Sequence, residues 1–405
     1  MHTLLIHQAF VSPHEAGGTR HYEFARYLVG NDQQFTIVAS DLSYLTGQKT
    51  IEHRGLVGRQ ELDGVTVLRA YTYPSLHRSF FWRIITFLSF MLTSLLAAWQ
   101  AGKVDVVMGT SPPIFQAVSA CLVAFLRRKP FLLEIRDLWP AFAIDMGILK
   151  NPLLIALSRW LERFLYHRAT LILVNSPAYR DYLVGLAVPA GKIHLIANGV
   201  DPTMFEPTAK GEWVRQQFKL PSQFIVTYAG ALGQANDIPT ILQAAQQLQA
   251  QPQIHFLLVG DGKERANLQK MSQEMGLTNV TFTGSRPKSE MPAFLAASDA
   301  CLATLQDIPM FRTTYPNKVF DYMAAGRPTI LGIDGVIREV IEAANGGVFV
   351  PPGNPDRLAE AIIALSQRPA EAQAMGQAAR RHVESHFNRH QQAQQFLALL
   401  QQLNS

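Results

Sequence analysis

The sequence predicts an α/β protein made of two doubly wound parallel-sheet domains, and three observations carry that expectation. The chain has 405 residues, which suits two domains of ordinary size. Apolar strand-length runs alternate with helix-length segments along its whole length. A polar stretch through Pro207, Gly211 and Pro221 interrupts the alternation once, after which it begins again.

In the first half the strand candidates are Leu4–Ile6, Thr36–Ala39, Val65–Arg69, Val104–Gly109, Phe131–Ile135, Leu171–Asn175 and Ile193–Ile196. Helices are expected to start near Thr19, Ser79, Pro113, Pro152 and Pro177. In the second half the strand candidates are Phe224–Tyr228, His255–Val259, Val280–Thr283, Ala300–Thr304, Thr329–Gly332 and Gly347–Val350. Helical segments between them are Leu242–Leu248, Arg265–Met275, Glu290–Ala297, Lys318–Ala325 and Ile337–Ala344. The expected domains are 1–200 and 201–384, with a linker over about Asp201–Gln223. A Gln/Ala-rich helical tail from about Ala374 to Ser405 is expected to pack its end, about 385–405, back on the first domain. Ligands of such sheets bind at the carboxyl ends of the strands, so the cleft between two such domains is the expected site.

Hydrophobic residues make up 48% and charged residues 17%, a globular composition and not a disordered one. Two cysteines, Cys121 and Cys301, exclude a disulfide framework, and no Cys/His cluster has zinc spacing. A reducing cytoplasm fits this usage. The opening MHTLLIHQAF has no basic leader region and a strand-length apolar run, so no cleaved signal peptide is expected. The net charge is +5, but residues 70–170 hold eleven Lys/Arg against five Asp/Glu. That local excess points to an anionic partner, either a phosphate-bearing ligand or a membrane surface. Nucleic acid is not expected, because the cations are interleaved with long apolar runs.

Four segments could carry chemistry. Gly17-Gly18-Thr19 follows the first strand and opens a helix, where free amides and the helix dipole favour a phosphate; a plain turn reads the same way. Gly230 and Gly233 follow the first strand of the second half, and Gly260, Gly262 and Lys263 follow its next strand, giving a second phosphate or sugar platform or tight packing of strand on helix. Tyr315-Pro316 through Ile330 places Lys318, Asp321 and Tyr322 within one turn of a helix started by Pro316 and ended by Gly326. There a carboxylate can hold ribose hydroxyls and a lysine can neutralise a diphosphate; a capped, solvated helix is the bland alternative. Asp137 follows the strand Phe131–Ile135 and so faces the expected cleft; an Arg136–Asp137 structural pair or a helix cap is the bland alternative. His7 and His14, near the end of the first strand, fit structural roles.

In order, Gly17-Gly18-Thr19, Asp105–Pro113, Glu134-Ile-Arg-Asp-Leu-Trp-Pro140, Asn198-Gly199-Val200-Asp201, Gly260-Asp261-Gly262, Pro316-Asn-Lys318 and Tyr322-Met-Ala-Ala-Gly326 make the chain resemble a family-four glycosyltransferase of the GT-B fold. Within that family it resembles the branch of O-antigen fucosamine transferases (WbuB-like) and related capsule enzymes. The resemblance implies retention of anomeric configuration, a nucleotide-sugar donor (UDP-linked in the leading reading) on the second domain, and no metal or cofactor. It implies a glycan or lipid-linked acceptor. The family carries two glutamates eight positions apart around this helix; the second falls on Asp321 and the first on Thr313, which has no charge. The family's Arg and Lys after the first strand of the second domain are replaced by Ala231-Leu232-Gly233-Gln234. The cationic role then passes to Lys318, Lys263, Arg312 or Arg286. Catalytic roles are expected at Asp137, Lys318 and Thr313, with donor binding at Gly17, Gly18, Thr19, Gly230, Gly233, Gly260, Lys263, Arg286, Arg312, Lys318 and Asp321.

Phe80–Ala98 holds a single charge, Arg83, over a length close to a bilayer span. Arg83, Thr86, Ser89 and Thr93 recur on one helical face, and the segment lies between two strands of one sheet. It is therefore read as a buried helix or one with a face in the membrane interface. With Arg78, Arg127-Arg128-Lys129 and Arg159, Arg163 and Arg168, contact through 78–98 and 150–168 with the inner face of the cell membrane is the expectation. A nucleotide-sugar epimerase, a dehydrogenase (weakened by the lack of GxGxxG) and a non-catalytic sugar-nucleotide scaffold are the alternatives.

Overall fold

The computed structural model describes the whole chain except residues 44–46, 75–79, 207–210, 221–222 and 405. Arg78, Ser79, Pro207 and Pro221 therefore lie outside the described residues. The chain divides into two compact bodies. One comprises Met1–Ser12, Thr19–Ala197 and His390–Ser405; the other comprises Pro13–Gly18 and Asn198–Arg389.

The first body is built on an eight-stranded sheet: β1 (His2–Ile6), β2 (Gln34–Ser40), β3 (Val57–Leu62), β4 (Val65–Ala70), β5 (Val106–Ser111), β6 (Phe131–Ile135), β7 (Leu171–Val174) and β8 (Ile193–Leu195). Its order is β3-β4-β2-β1-β5-β6-β7-β8. Every pairing is parallel except β3 with β4. The central strands are apolar on both faces because helices cover both faces; β5 and β6 are buried at every position. Strand β3 was not foreseen. It is an edge strand of sequence VGRQEL, paired back on β4 through Asp63-Gly64, both at positive φ (48° and 80°). Asp-Gly is the pair that a type I′ hairpin turn favours.

The second body holds a six-stranded, wholly parallel sheet: β9 (Phe224–Ala229), β10 (Ile254–Val259), β11 (Val280–Gly284), β12 (Ala300–Thr304), β13 (Thr329–Gly332) and β14 (Gly347–Phe349). Its order is β11-β10-β9-β12-β13-β14. Three apolar clusters lie against it among the described residues, one around Phe256 and Ile241, one around Phe320 and Ile337, and a smaller one around Leu257 and Phe294.

The tail forms two helices, Pro369–His386 and Arg389–Asn404. The break between them has a partner: the Val200 N–H donates to the Phe387 carbonyl at 3.1 Å, and the Arg389 N–H donates to the Val200 carbonyl at 2.8 Å. The last helix belongs to the first body, where Phe396 stacks on Phe24 with ring centroids 4.9 Å apart.

Candidate active site

In a doubly wound sheet, the strand order reverses at one point and opens a crevice at the carboxyl ends of the strands. In the second body that point lies between β9 and β12. Two side-chain devices shape it. The Tyr322 hydroxyl, fully buried, accepts from the Ala229 N–H at 2.8 Å and pins the helix Asn317–Ala324 to the end of β9. The Thr304 hydroxyl donates to the Asn236 carbonyl at 2.7 Å and holds the following loop over the end of β12.

Lys318 sits one turn before Tyr322 and so arrives at the glycine loop. Its Nζ donates to the Tyr228 hydroxyl at 2.7 Å and to Asn236 Oδ1 at 2.8 Å, and lies 4.2 Å from the Tyr228 ring centroid. A Cβ on Gly230 would stand 3.1 Å from that Nζ. None of these partners carries a charge. Burial pushes the Lys318 ammonium down to about 7, the behaviour of a cation crowded by protein without an anion beside it.

The two glycine loops pack on each other. The Gly230 N–H donates to the Val259 carbonyl at 2.9 Å and the Leu232 N–H to the Asp261 carbonyl at 2.9 Å. Gly260 has φ 148°, and a Cβ there would fall 1.8 Å from the Gly230 carbonyl oxygen. Gly233 is half-buried at the start of the turn Gln234–Asn236, and Lys263 is exposed beside Gly262.

Asp321 is half-buried, and its Oδ2 accepts from Lys288 Nζ at 2.5 Å. Lys288 is itself buried and lies 5.3 Å from the Phe205 ring centroid. Sequence reasoning missed Lys288; the Arg286-Pro-Lys288 stretch after β11 was the available signal. Two other proposed cations, Arg286 and Arg312, are engaged elsewhere. Arg286 lies 3.6 Å from Glu290 and over the Phe294 ring at 5.5 Å, and the exposed Arg312 pairs with Asp307 at 3.1 Å. Thr313 turns its hydroxyl to the Met310 carbonyl at 2.6 Å. Gly17 and Gly18 are exposed and group with this second body, as does Glu15, whose carbonyl accepts from the Lys288 N–H at 3.1 Å.

In the first body the reversal lies between β1 and β5. Gln116 bridges it: Oε1 accepts from the Gln8 N–H at 2.5 Å and Nε2 donates to the Thr110 carbonyl at 2.9 Å. Thr19 is buried, and its carbonyl accepts from the Glu23 N–H at 2.9 Å at the start of the first helix. Beside it, the fully buried Glu134 accepts from Arg20 Nε at 3.0 Å and His21 Nε2 at 2.5 Å. Burial opposes charge on Glu134, but His21 and Arg20 hold its carboxyl well below the usual range. Arg20 also donates to the Ile196 and Ala197 carbonyls at 2.7 Å each. His7 is buried edge-on to His21, and its Nε2 accepts from Arg136 at 2.9 Å; burial and His21 press its pKa well down. His14 is exposed.

Asp137 closes this end of β6. The residue is exposed, yet its carboxyl group is ringed by protein. That crowding pushes it up to about 6, against the pull of Arg136 and the Tyr179 hydroxyl 3.5 Å away. Among the described residues, no three His, Cys, Asp or Glu side chains gather as a metal site.

Two Rossmann-like sheets, each with polar side chains at its reversal point, are the architecture of the GT-B glycosyltransferases. The particular family follows from two matches: residues 16–199 match the glycosyl transferase 4-like domain and residues 210–382 the glycosyl transferases group 1 domain. Together they take in most of the chain, which is a GT-B glycosyltransferase carrying these two domains. It is similar to WcaI of Escherichia coli K12, assigned to colanic acid biosynthesis as a glycosyl transferase, at 24% identity over 81% of this chain and 82% of that one. Among solved structures, the fold is shared with sucrose-phosphate synthase from Thermosynechococcus elongatus (TM-score 0.78, 22% identity, 99% and 98% covered). It is shared too with HepE of Anabaena, solved with UDP and glucose (TM-score 0.75, 18% identity, 98% and 99% covered).

Proposed function

We propose that the protein transfers a sugar, with retention, from a nucleotide-diphosphate donor to a hydroxyl of a glycan or polyprenyl-linked saccharide, in surface polysaccharide biosynthesis. UDP-linked hexose or N-acetylhexosamine is the leading donor class, and the O-antigen fucosamine transferase branch the leading subfamily. The observation that carries this reading is Lys318, a cation whose hydrogen-bond partners among the described residues are neutral groups at a glycine loop. A diphosphate there supplies the missing negative charge.

In the proposed reaction the bond from the anomeric carbon to the diphosphate breaks, and the diphosphate keeps the electron pair. The acceptor oxygen bonds the same face of that carbon, and its proton passes to the departing diphosphate. Lys318 and the amides around Gly230 stabilise the charge that develops on the leaving group. Asp321 holds the ribose, and Asp137 orients the acceptor hydroxyl. No metal ion is assigned a role. The HepE complex supports the UDP class, and the assignment of WcaI supports polysaccharide synthesis. The enzyme works from the cytoplasmic side as a peripheral membrane protein.

The test is a panel of nucleotide sugars scored by thermal shift, since a bound donor raises stability by mass action, followed by transfer assays with the stabilising donor. A panel in which no nucleotide sugar shifts the melting curve overturns the reading.

A further inference from the structure

The helix Phe80–Gln100 is packed with its polar side inward. The Thr86 hydroxyl donates to the Tyr73 carbonyl at 3.1 Å, the Thr93 hydroxyl donates to the Tyr71 carbonyl at 2.7 Å, and the Ser89 hydroxyl accepts from the Tyr73 N–H at 2.9 Å. These hydroxyls satisfy the irregular backbone that leaves β4. The opposite stripe, Leu88, Leu92, Leu96 and Trp99, is therefore turned out, with Leu92 62% and Trp99 62% exposed. A helix that only filled a domain core would face the other way.

Two neighbours extend this face. Helix Ile114–Arg127 packs beside it and exposes Leu122, Phe125 and Leu126. Helix Pro152–Arg168 packs beside that one and exposes Leu153, Leu157, Trp160 and Phe164 at spacings of four, three and four. The three are stitched at one end by cations on rings: Arg127 lies 5.1 Å from the Trp99 ring centroid and Arg168 lies 5.4 Å from that of Phe125. Between the C-terminal ends of the second and third of these helices and the start of β6 lies a cavity of about 500 Å³, lined by Phe125, Leu126, Arg128, Lys129, Arg168 and Thr170 among others, with no carboxylate among its described lining residues. Lys129 reaches Asp105 at 3.6 Å outside it.

We infer that this three-helix face docks on a bilayer containing anionic phospholipid, with a headgroup phosphate seated between Arg128 and Arg168. This rests on the proposed role at a membrane and names the surface and the lipid chemistry. A transmembrane passage of Trp82–Gln100, long and apolar enough by composition, is ruled out by topology, because the helix connects β4 and β5 of one sheet, which point the same way. The choice of a bilayer over another protein rests on charge. Long apolar side chains and two tryptophans are rimmed by exposed Arg128, Lys129, Arg159, Arg163 and Arg168, the pattern of an interfacial helix against anionic lipid.

The test is flotation of the full chain with vesicles of phosphatidylcholine alone and with added phosphatidylglycerol. The chain is expected to float with the anionic vesicles and not with the neutral ones. Replacing both Arg128→Ser and Arg168→Ser should weaken partitioning about 30-fold, at about fivefold per cation. Leu92→Ser with Leu96→Ser should abolish flotation while leaving the melting temperature and nucleotide-sugar shift unchanged. Inorganic phosphate should not displace the chain from the vesicles; full displacement would make this a free-phosphate site. Equal flotation by parent and variants overturns the proposal. So does lipid-independent self-association, by sedimentation, that Leu92→Ser removes. A chain that stays down but responds to nucleotide sugars sinks the docking surface alone, whereas one that floats but binds no nucleotide sugar sinks the donor reading alone.

Discussion

Lys288 Nζ stands 2.5 Å from Asp321 Oδ2 although one residue follows β11 and the other lies on the helix Asn317–Ala324 that follows β12. The pair is mostly shielded, so the carboxylate expected at the ribose is fixed in one orientation by a lysine that is itself wedged near Phe205. Asp321→Ala should weaken donor binding about 10- to 100-fold, the range for hydrogen bonds to a charged group. Lys288→Met should weaken it less, because the carboxylate stays but loses its tether. Isothermal titration with the donor reads both, and parental affinity in Asp321→Ala removes the ribose role.

Lys318 gives donor binding a pH dependence. With its ammonium lowered to about 7, the free enzyme carries the charge below that value and loses it above. A bound diphosphate diester, which does not titrate in this range, holds the proton on. Affinity should therefore fall as pH rises through 7, by up to about tenfold per pH unit. Lys318→Met should bind weakly with a flat profile between pH 6 and 9. A parent profile that is equally flat places the diphosphate elsewhere.

The acceptor side should respond in the opposite sense. Asp137 is raised to about 6, so it is neutral below that pH and an acceptor of hydrogen bonds above it. Under saturating donor, kcat/KM for the acceptor should climb from pH 5 to 7. Asp137→Asn should lose turnover by a factor of about 100 or more while its donor-induced thermal shift is retained. A variant with parental turnover would return Asp137 to a structural role beside Arg136.

Glu134 is a stability prediction. It joins Arg20 and His21 in a site without solvent access, and Arg20 ties that site to the Ile196 and Ala197 carbonyls. Glu134→Ala leaves a buried guanidinium without its anion and should cost about 3–5 kcal/mol. Because the native carboxyl is held below its ordinary value, the stabilisation is present above pH 4.5 and fades as pH falls below it. Urea unfolding of parent and variant at pH 7 and pH 4 should show the gap narrowing at the lower pH.

Gly260→Ala tests the contact between the glycine loops. The added Cβ meets the Gly230 carbonyl at 1.8 Å on a backbone with φ 148°, so neither side chain nor backbone can yield cheaply. A loss above about 2 kcal/mol is expected, together with weaker donor binding because the loop beside Lys318 moves. Parental stability would show that the loops are not packed as described.

Much of this was legible in one dimension because it depends on neighbours along the chain. Strands buried on both faces read as continuous apolar runs, and Pro316 and Gly326 bracket a helix by backbone chemistry alone, which placed Lys318, Asp321 and Tyr322 on one element. Even β3 had a local signature in Asp63-Gly64, masked by the polar residues of an edge strand. Partnership across the fold had no such signature. Lys288 and Asp321 are separated by 33 positions, and nothing near either residue announces the other. The helix Phe80–Gln100 makes the same point. Its amphipathic period was plain, but the direction of each stripe depended on bare carbonyls at Tyr71 and Tyr73 that claimed the hydroxyls. Local propensity and periodicity act over a few residues and are written in order; ion pairs, shifted protonation and the facing of a helix arise from groups that meet only once the sheets have closed.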